Sequence, residues 1–229
     1  MKFTAKDALL MISPPSTKSD SQKLPELLAE LRDLIQAKSI TKRGPGEPDF
    51  VLASGMTARF YCDTKKVTLS PEGSRLIGEI LFALIKDNAE AIGGLELGAT
   101  FIATAVTVVS AQHGTPIYGF TVRNKQKSYG TQEGAAESFH PDGRRLLCPN
   151  RRVAVIEDVV TKGGSILRAV DFVQANQCDI VAVISLVDRN EGGGDLLLQK
   201  KLPYFPLFIA NESGDLAVND RLLTHPPQP

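Results

Sequence analysis

Short runs rich in Val, Ile and Ala alternate with stretches of helical period along most of this chain, and that alternation restricts the fold more than any other feature. Ser70-Pro71 is a helix start, a capping residue followed by proline at the first helical position. Leu76, Ile77, Ile80, Leu81, Leu84 and Ile85 then form one apolar face on a helix running to about Lys86. After it come an apolar run at Ala91–Leu95, a helix near Ala99–Gln112, strands at Pro116–Val122 and Arg152–Ile156, a helix at Ser165–Asn176 and a strand at Ile180–Val187. Parallel strands need crossovers, and strands covered on both faces read as near-continuous apolar runs. The expected fold class is therefore α/β, with a mostly parallel sheet flanked by helices.

Ahead of this body, residues 1–23 are rich in Ser, Lys and Pro without a sustained period, and a loosely held arm is expected there. Leu27, Leu28, Leu31, Leu34 and Ile35 repeat with helical spacing, and Phe50 to Asp63 carries β-branched and aromatic residues around Ser54-Gly55. Residues 24–69 thus read as a helix and a hairpin forming a small hood, the main domain as 24–210, and 211–229 as a C-terminal segment with a frayed end. At 229 residues and 42% hydrophobic content, one domain with a small appendage is the default.

Lys+Arg and Asp+Glu both total 26, so no global field exists to hold nucleic acid, and any anion site must be local. Cys62, Cys148 and Cys178 have neither zinc-site spacing nor the density of a disulfide scaffold. The apolar patch Ala8–Ile12 is too short for a secretion signal. Phe101–Ala111, interrupted by Thr and Ser, reads as a buried helix rather than a membrane span. A cytoplasmic protein with no membrane or nucleic-acid partner is expected. His113, His140 and His225 have no acidic or cysteine partners at ligand spacing.

In an open parallel sheet, ligands sit beyond the carboxyl ends of the strands, here the loops after Ile92, Val122, Ile156 and Val187. The loop after Ile156 carries the most chemistry. Glu157-Asp-Val-Val-Thr-Lys-Gly-Gly-Ser165 places two carboxylates ahead of a Thr/Gly/Ser turn that opens a helix. Backbone N–H groups of Thr161 to Ser165 suit a phosphate at the positive end of that helix, whereas carboxylates are acceptors only and suit a neighbouring pair of ribose hydroxyls. A sugar phosphate satisfies both halves. Read alone, the acids are equally strand-end charges and the turn an ordinary helix cap. The segment Arg123-Asn-Lys-Gln-Lys-Ser-Tyr-Gly130, taken alone, reads as a solvated charged loop, but beside a diphosphate site it reads as a basic lid.

The Val153–Val170 segment resembles the signature of type I phosphoribosyltransferases. The chain resembles the orotate phosphoribosyltransferase family over Leu24 to Ala210. The matching residues are Phe50 to Gly55 with Phe60 to Asp63, Gly93 to Gly98 with Ile102 to Ala105, Arg123 to Gly130, and Val187 to Gly192. The resemblance implies a type I fold and a reaction of orotate with phosphoribosyl pyrophosphate. It implies that Glu157, Asp158, Val159, Val160, Thr161, Lys162, Gly163, Gly164 and Ser165 hold the ribose hydroxyls and 5-phosphate. Glu96 and Leu97, within the loop to Gly98, and Arg123, Asn124, Lys127 and Tyr129 in the lid would meet the rest of that substrate. Tyr61, Cys62, Thr161 and Arg189 would hold orotate. Lys127, Arg123 and Asp158 form the implied catalytic set, with Lys65 a lesser candidate. Magnesium would be held mainly by substrate, with no dedicated protein ligands, and a homodimer would share its active sites through Arg123 and Lys127.

The chain departs from the pattern at Ala53, Leu97 and Asn124, where many bacterial members carry lysine, and at Tyr129, which replaces a frequent histidine. The segment Thr131–Arg151 is also longer than usual. Two other readings stay open. A purine phosphoribosyltransferase would keep the Glu157–Ser165 loop without needing Arg189 or the lid. A noncatalytic regulator sensing phosphoribosyl pyrophosphate would tolerate the missing lysines.

Overall fold

The computed structural model describes residues 18–51, 57–124, 135–137 and 140–222. The hood begins with α1 (Lys18–Lys38), which starts six residues ahead of the helical repeat seen from Leu24 and contains Pro25. Leu24, Leu28, Leu31 and Ile35 are its buried side. Two small antiparallel pairs follow: β1 (Ile40–Lys42) with β4 (Phe60–Cys62), and β2 (Phe50–Val51) with β3 (Thr57–Ala58). The second pair is the expected hairpin, and its Ser54-Gly55 turn lies outside the described residues. A short α2 (Lys65–Thr68) leads to α3 (Pro71–Ile85), where the Ser70 hydroxyl accepts from Gly73 N at 3.0 Å, the cap read from the sequence.

The main sheet contains β5 (Ala91–Leu95), β6 (Tyr118–Val122), β7 (Ala135–Glu137), β8 (Arg152–Val160), β9 (Asp179–Asp188), β10 (Tyr204–Ala210) and β11 (Leu216–Val218). Their order across the sheet is β11-β10-β9-β8-β5-β6-β7. The five central strands are parallel and the two edge strands antiparallel. β11 carries the sheet past Ala210, the boundary expected for the main domain. Crossovers run through α4 (Gly98–Gln112), α5 (Gly164–Ala175) and α6 (Gly193–Gln199).

Strand alternation divides the core. Ala154 and Ile156 of β8 face the layer formed by α1, α3 and α4. Val153 and Val155 face the other layer with Ile166, Ala169, Val170 and Val173 of α5. Both faces are apolar because both are covered. Helix α4 carries the Phe101–Ala111 run into the core through Ile102, Val106 and Val109, and leaves Val108 on its exposed side. At the amino ends of β5 and β8 the buried Arg151 guanidinium donates to Glu90 at 2.9 Å and Asp142 at 3.1 Å. With Leu146 and Leu147 fully buried, that ion pairing holds the later part of the long Thr131–Arg151 segment against the sheet.

Candidate active site

The two acids are not at a strand end, as Arg152–Ile156 implied. β8 runs on to Val160, with Glu157 opposite Ser185 and Val160 opposite Asp188 of β9. The β-branched pair Val159-Val160 continues the strand, and its alternation sends the two carboxylates to different surroundings. Glu157 is only 5% exposed. Its Oε1 accepts from Asp158 N at 3.1 Å, while Oε2 is buried with no partner among the described residues. Burial, with the Asp158 charge second, pushes its pKa well above the usual carboxylate range. Asp158 accepts from Val159 N at 2.9 Å through Oδ1 and from the Thr64 hydroxyl at 2.7 Å through Oδ2. It lies against Gly98, where a Cβ would overlap the carboxyl.

Beyond Val160 the chain turns through Thr161 and Lys162 to Gly163, whose φ of 82° is the left-handed conformation that glycine adopts without strain, and α5 begins at Gly164. Thr161 to Ser165 line a cleft of about 280 Å³ together with Glu157 and Glu191. The N–H groups of the first turn of α5 have no partner within the helix and place a partial positive charge at that cleft. Gly193 N donates to Thr161 O at 2.9 Å and the Lys162 ammonium to Glu191 O at 2.9 Å, so the turn is braced by the loop that follows β9.

A second cleft, of about 390 Å³, is lined by Thr57 to Phe60 of the hood, by Arg189 to Glu191, by Lys162 and by Ala210 to Glu212. Lys162 and Glu191 line both clefts, so the two adjoin. Arg189 is buried, with its guanidinium 4.5 Å from the Phe60 ring centre, 3.0 Å from Glu191 Oε1 and with Nε lacking a partner among the described residues. Cys62 is held as a thiol, pushed up to about 12 by burial and then by the Asp158 charge. Tyr61 is half exposed on the same strand, and Lys65 is engaged with Asp63 at 2.9 Å.

Loops after β5 and β6 complete the rim. Leu97 is 62% exposed, and the peptide bond joining it to Glu96 is cis. Glu96 Oε1 accepts from Asn124 N at 2.9 Å, and Asn124 Oδ1 accepts from the Arg168 guanidinium at 2.6 Å. A cation therefore reaches position 124 from α5, although residue 124 itself is uncharged. Arg123 stands half-buried just after β6. Lys127 and Tyr129, like Ala53, lie outside the described residues.

The structure thus gathers Glu157 to Ser165, Arg189 and the Glu96–Asn124 rim at the carboxyl end of the sheet, with Tyr61 and Cys62 on the hood. Sequence reading missed Thr64, Arg168 and Glu191. Thr64 and Arg168 meet site residues 94 and 44 positions away, a separation no local pattern signals.

No protein-family model matches the chain. The orotate phosphoribosyltransferase of Aquifex aeolicus is 39% identical to it over 184 residues, covering 80% of this chain and 95% of the relative. The chain belongs to the orotate phosphoribosyltransferase family. The orotate phosphoribosyltransferase of Bradyrhizobium diazoefficiens is also 39% identical, over 174 residues, covering 76% of this chain and 91% of its own. Among solved structures, the Mycobacterium tuberculosis orotate phosphoribosyltransferase in complex with Fe(III) dicitrate matches with a TM-score of 0.63 at 33% identity, covering 79% of this chain and 94% of that one. The same enzyme in complex with 5-phospho-α-D-ribosyl 1-diphosphate matches with a TM-score of 0.58 at 28% identity, over 79% of this chain and 87% of that one. The central sheet and flanking helices have the type I architecture that the orotate phosphoribosyltransferase family shares.

Proposed function

We propose that this chain transfers the 5-phosphoribosyl group from phosphoribosyl pyrophosphate to orotate, giving orotidine 5′-monophosphate and pyrophosphate, a step of pyrimidine nucleotide synthesis. The observation that carries the reading is the pair of adjoining clefts. One has an acid pair and an electropositive turn suited to a ribose phosphate, and the other has a buried guanidinium under the hood suited to a planar carboxylate.

Glu157 and Asp158 take the ribose hydroxyls, and Val159 to Ser165 surround the 5-phosphate through backbone N–H groups and the Thr161 and Ser165 hydroxyls. Arg189 and Thr161 hold orotate, with Tyr61 and Cys62 lending backbone contacts. Glu96 and Leu97 approach the diphosphate, and Arg123, Asn124, Lys127 and Tyr129 cover it from the lid. Positive charge develops on the ribose ring while negative charge grows on the leaving diphosphate. Catalysis therefore rests on positioning and on cations aimed at the leaving group, without a side-chain nucleophile. Asp158 fixes the ribose in this scheme, and Lys127 and Arg123 meet the diphosphate.

A magnesium ion that arrives on the diphosphate would be held mainly by substrate oxygens and water, with the Asp158 carboxylate a hard oxygen donor on the ribose side. Such an ion would neutralise charge on the leaving group. The functional unit is a homodimer in which Arg123 and Lys127 serve the neighbouring site, and its place is the cytoplasm. No helix among the described residues is long and apolar enough to cross a membrane.

The test is a spectrophotometric assay of orotate consumption with phosphoribosyl pyrophosphate and magnesium. Turnover with orotate, and none with adenine or hypoxanthine in its place, is the expected result. No consumption of orotate by the folded protein would refute the reading.

A further inference from the structure

Thr64 stands at the N-cap position of α2, where a threonine hydroxyl ordinarily accepts a hydrogen bond from its own helix, yet its side chain makes no such cap. The residue is fully buried, and its single hydroxyl proton goes to Asp158 Oδ2 at 2.7 Å. Val159 N occupies the other carboxylate oxygen at 2.9 Å, and Gly98 closes one flank. An ionised carboxylate offers about four acceptor positions, so two bonds to the protein fix its plane and leave one acceptor position on each oxygen for a ligand. We propose that Thr64 is a positioning residue that sets the plane of Asp158 for the ribose diol of phosphoribosyl pyrophosphate. This rests on the role given to Asp158 above.

Thr64 follows β4 by two residues, and Asp63 N between them donates to Ser39 O at 2.9 Å. The same hydroxyl thus ties the hood, which covers the base cleft, to the acid that receives the ribose. Valine has nearly the shape of threonine but no donor. Thr64→Val therefore leaves Asp158 free to turn and one part-buried oxygen without its partner, while packing around α2 is kept.

The experiment is calorimetric binding of phosphoribosyl pyrophosphate with magnesium to the full chain and to Thr64→Val, Thr64→Ser, Asp158→Ala and the Thr64→Val/Asp158→Ala pair. Steady-state constants and melting curves are measured on each. Thr64→Val is expected to weaken binding about tenfold, with the KM for orotate changed less than about twofold. Thr64→Ser, which restores the donor, is expected to recover most of the affinity. On the Asp158→Ala background, Thr64→Val is expected to add nothing, because the group it positions is gone. Equal losses in both backgrounds would mean that Thr64 acts through packing, and the inference would fall. It would also fall if Thr64→Val bound like the parent while Asp158→Ala bound poorly, which leaves the ribose role of Asp158 standing. If Asp158→Ala itself bound normally, that role and the inference would fall together. Should Thr64→Val not fold, Thr64→Ala makes the same comparison with a smaller side chain.

Discussion

Glu157 and Asp158 are neighbours in sequence with opposite surroundings. Asp158 is tied by two donors, whereas Glu157 sits in the sheet with one oxygen unpaired among the described residues. Because burial raises the pKa of Glu157 well above its ordinary value near 4.5, the folded state holds a proton there that the unfolded chain releases. Its contribution to stability is complete below about pH 4.5 and is lost as pH rises through the elevated folded value. Glu157→Gln removes this loss, so its melting temperature is expected to exceed that of the parent at pH 7, with the gap closing toward pH 4. Equal gaps at both pH values would contradict the shift. Arg189 is legible both as a strand-end charge and, by resemblance, as an orotate ligand. Arg189→Ala is expected to raise the KM for orotate by about tenfold or more while leaving that for phosphoribosyl pyrophosphate nearly unchanged. A loss confined to the second substrate would exchange the two clefts. The contiguous Glu157–Ser165 run could be read from sequence because strand, acids, turn and helix follow one another. Thr64 could not, since its role exists only once the hood folds back onto β8.

Between elements, the loop that presents Arg189 is set by a buried polar relay joining β9 and β10. Tyr204 donates to Asp188 Oδ2 at 2.9 Å and lies 2.8 Å from the Ser185 hydroxyl, while Asn190 N donates to Asp188 Oδ1 at 2.8 Å. Burial raises the pKa of both Asp188 and Tyr204, so each depends on the other as a hydrogen-bond partner. Tyr204→Phe leaves a buried carboxylate short of a donor. It is expected to cost about 1–3 kcal/mol in urea unfolding, and to raise the KM for orotate more than that for phosphoribosyl pyrophosphate. A stability loss with unchanged constants would confine the relay to structure. Period, caps and short apolar runs made α3, α4, α5, β5, β6, β9 and the start of β8 readable in the sequence. It did not reveal β10, because Pro206 argues against a strand inside a sheet. The Pro206 carbonyl instead accepts from the Asn219 amide at 2.9 Å, a partner thirteen residues ahead.

At the scale of the molecule, chemistry gathers at the carboxyl end of the sheet, while the Arg151–Glu90–Asp142 ion pairs bind the other end. The shared-site reading has a direct test. Lys127→Ala is expected to lower kcat by orders of magnitude with little change in either KM, because it meets charge that grows mainly in the transition state. Mixing that protein with an inactive Glu157→Ala/Asp158→Ala protein is then expected to restore about one quarter of parent activity. Random exchange makes half the dimers hybrid, each with one intact site of two. Exchange verified by tagged monomers without recovery would assign Lys127 to its own chain or to no catalytic part.

The pairing of β6 with β7 puts a ruler on that arrangement. Val122 lies opposite Ala135, so the chain leaves and re-enters the sheet at one rung. Lys127 is five residues past Val122, and a polypeptide spans at most about 3.6 Å per residue, which keeps its Cα within about 18 Å of that rung along any path. A two-fold arrangement that holds the opposite Glu96–Leu97 loop, where the diphosphate would lie, beyond this tether and the length of a lysine side chain is geometrically barred from sharing sites through Lys127, so candidate assemblies can be sorted by one distance before any rate is measured.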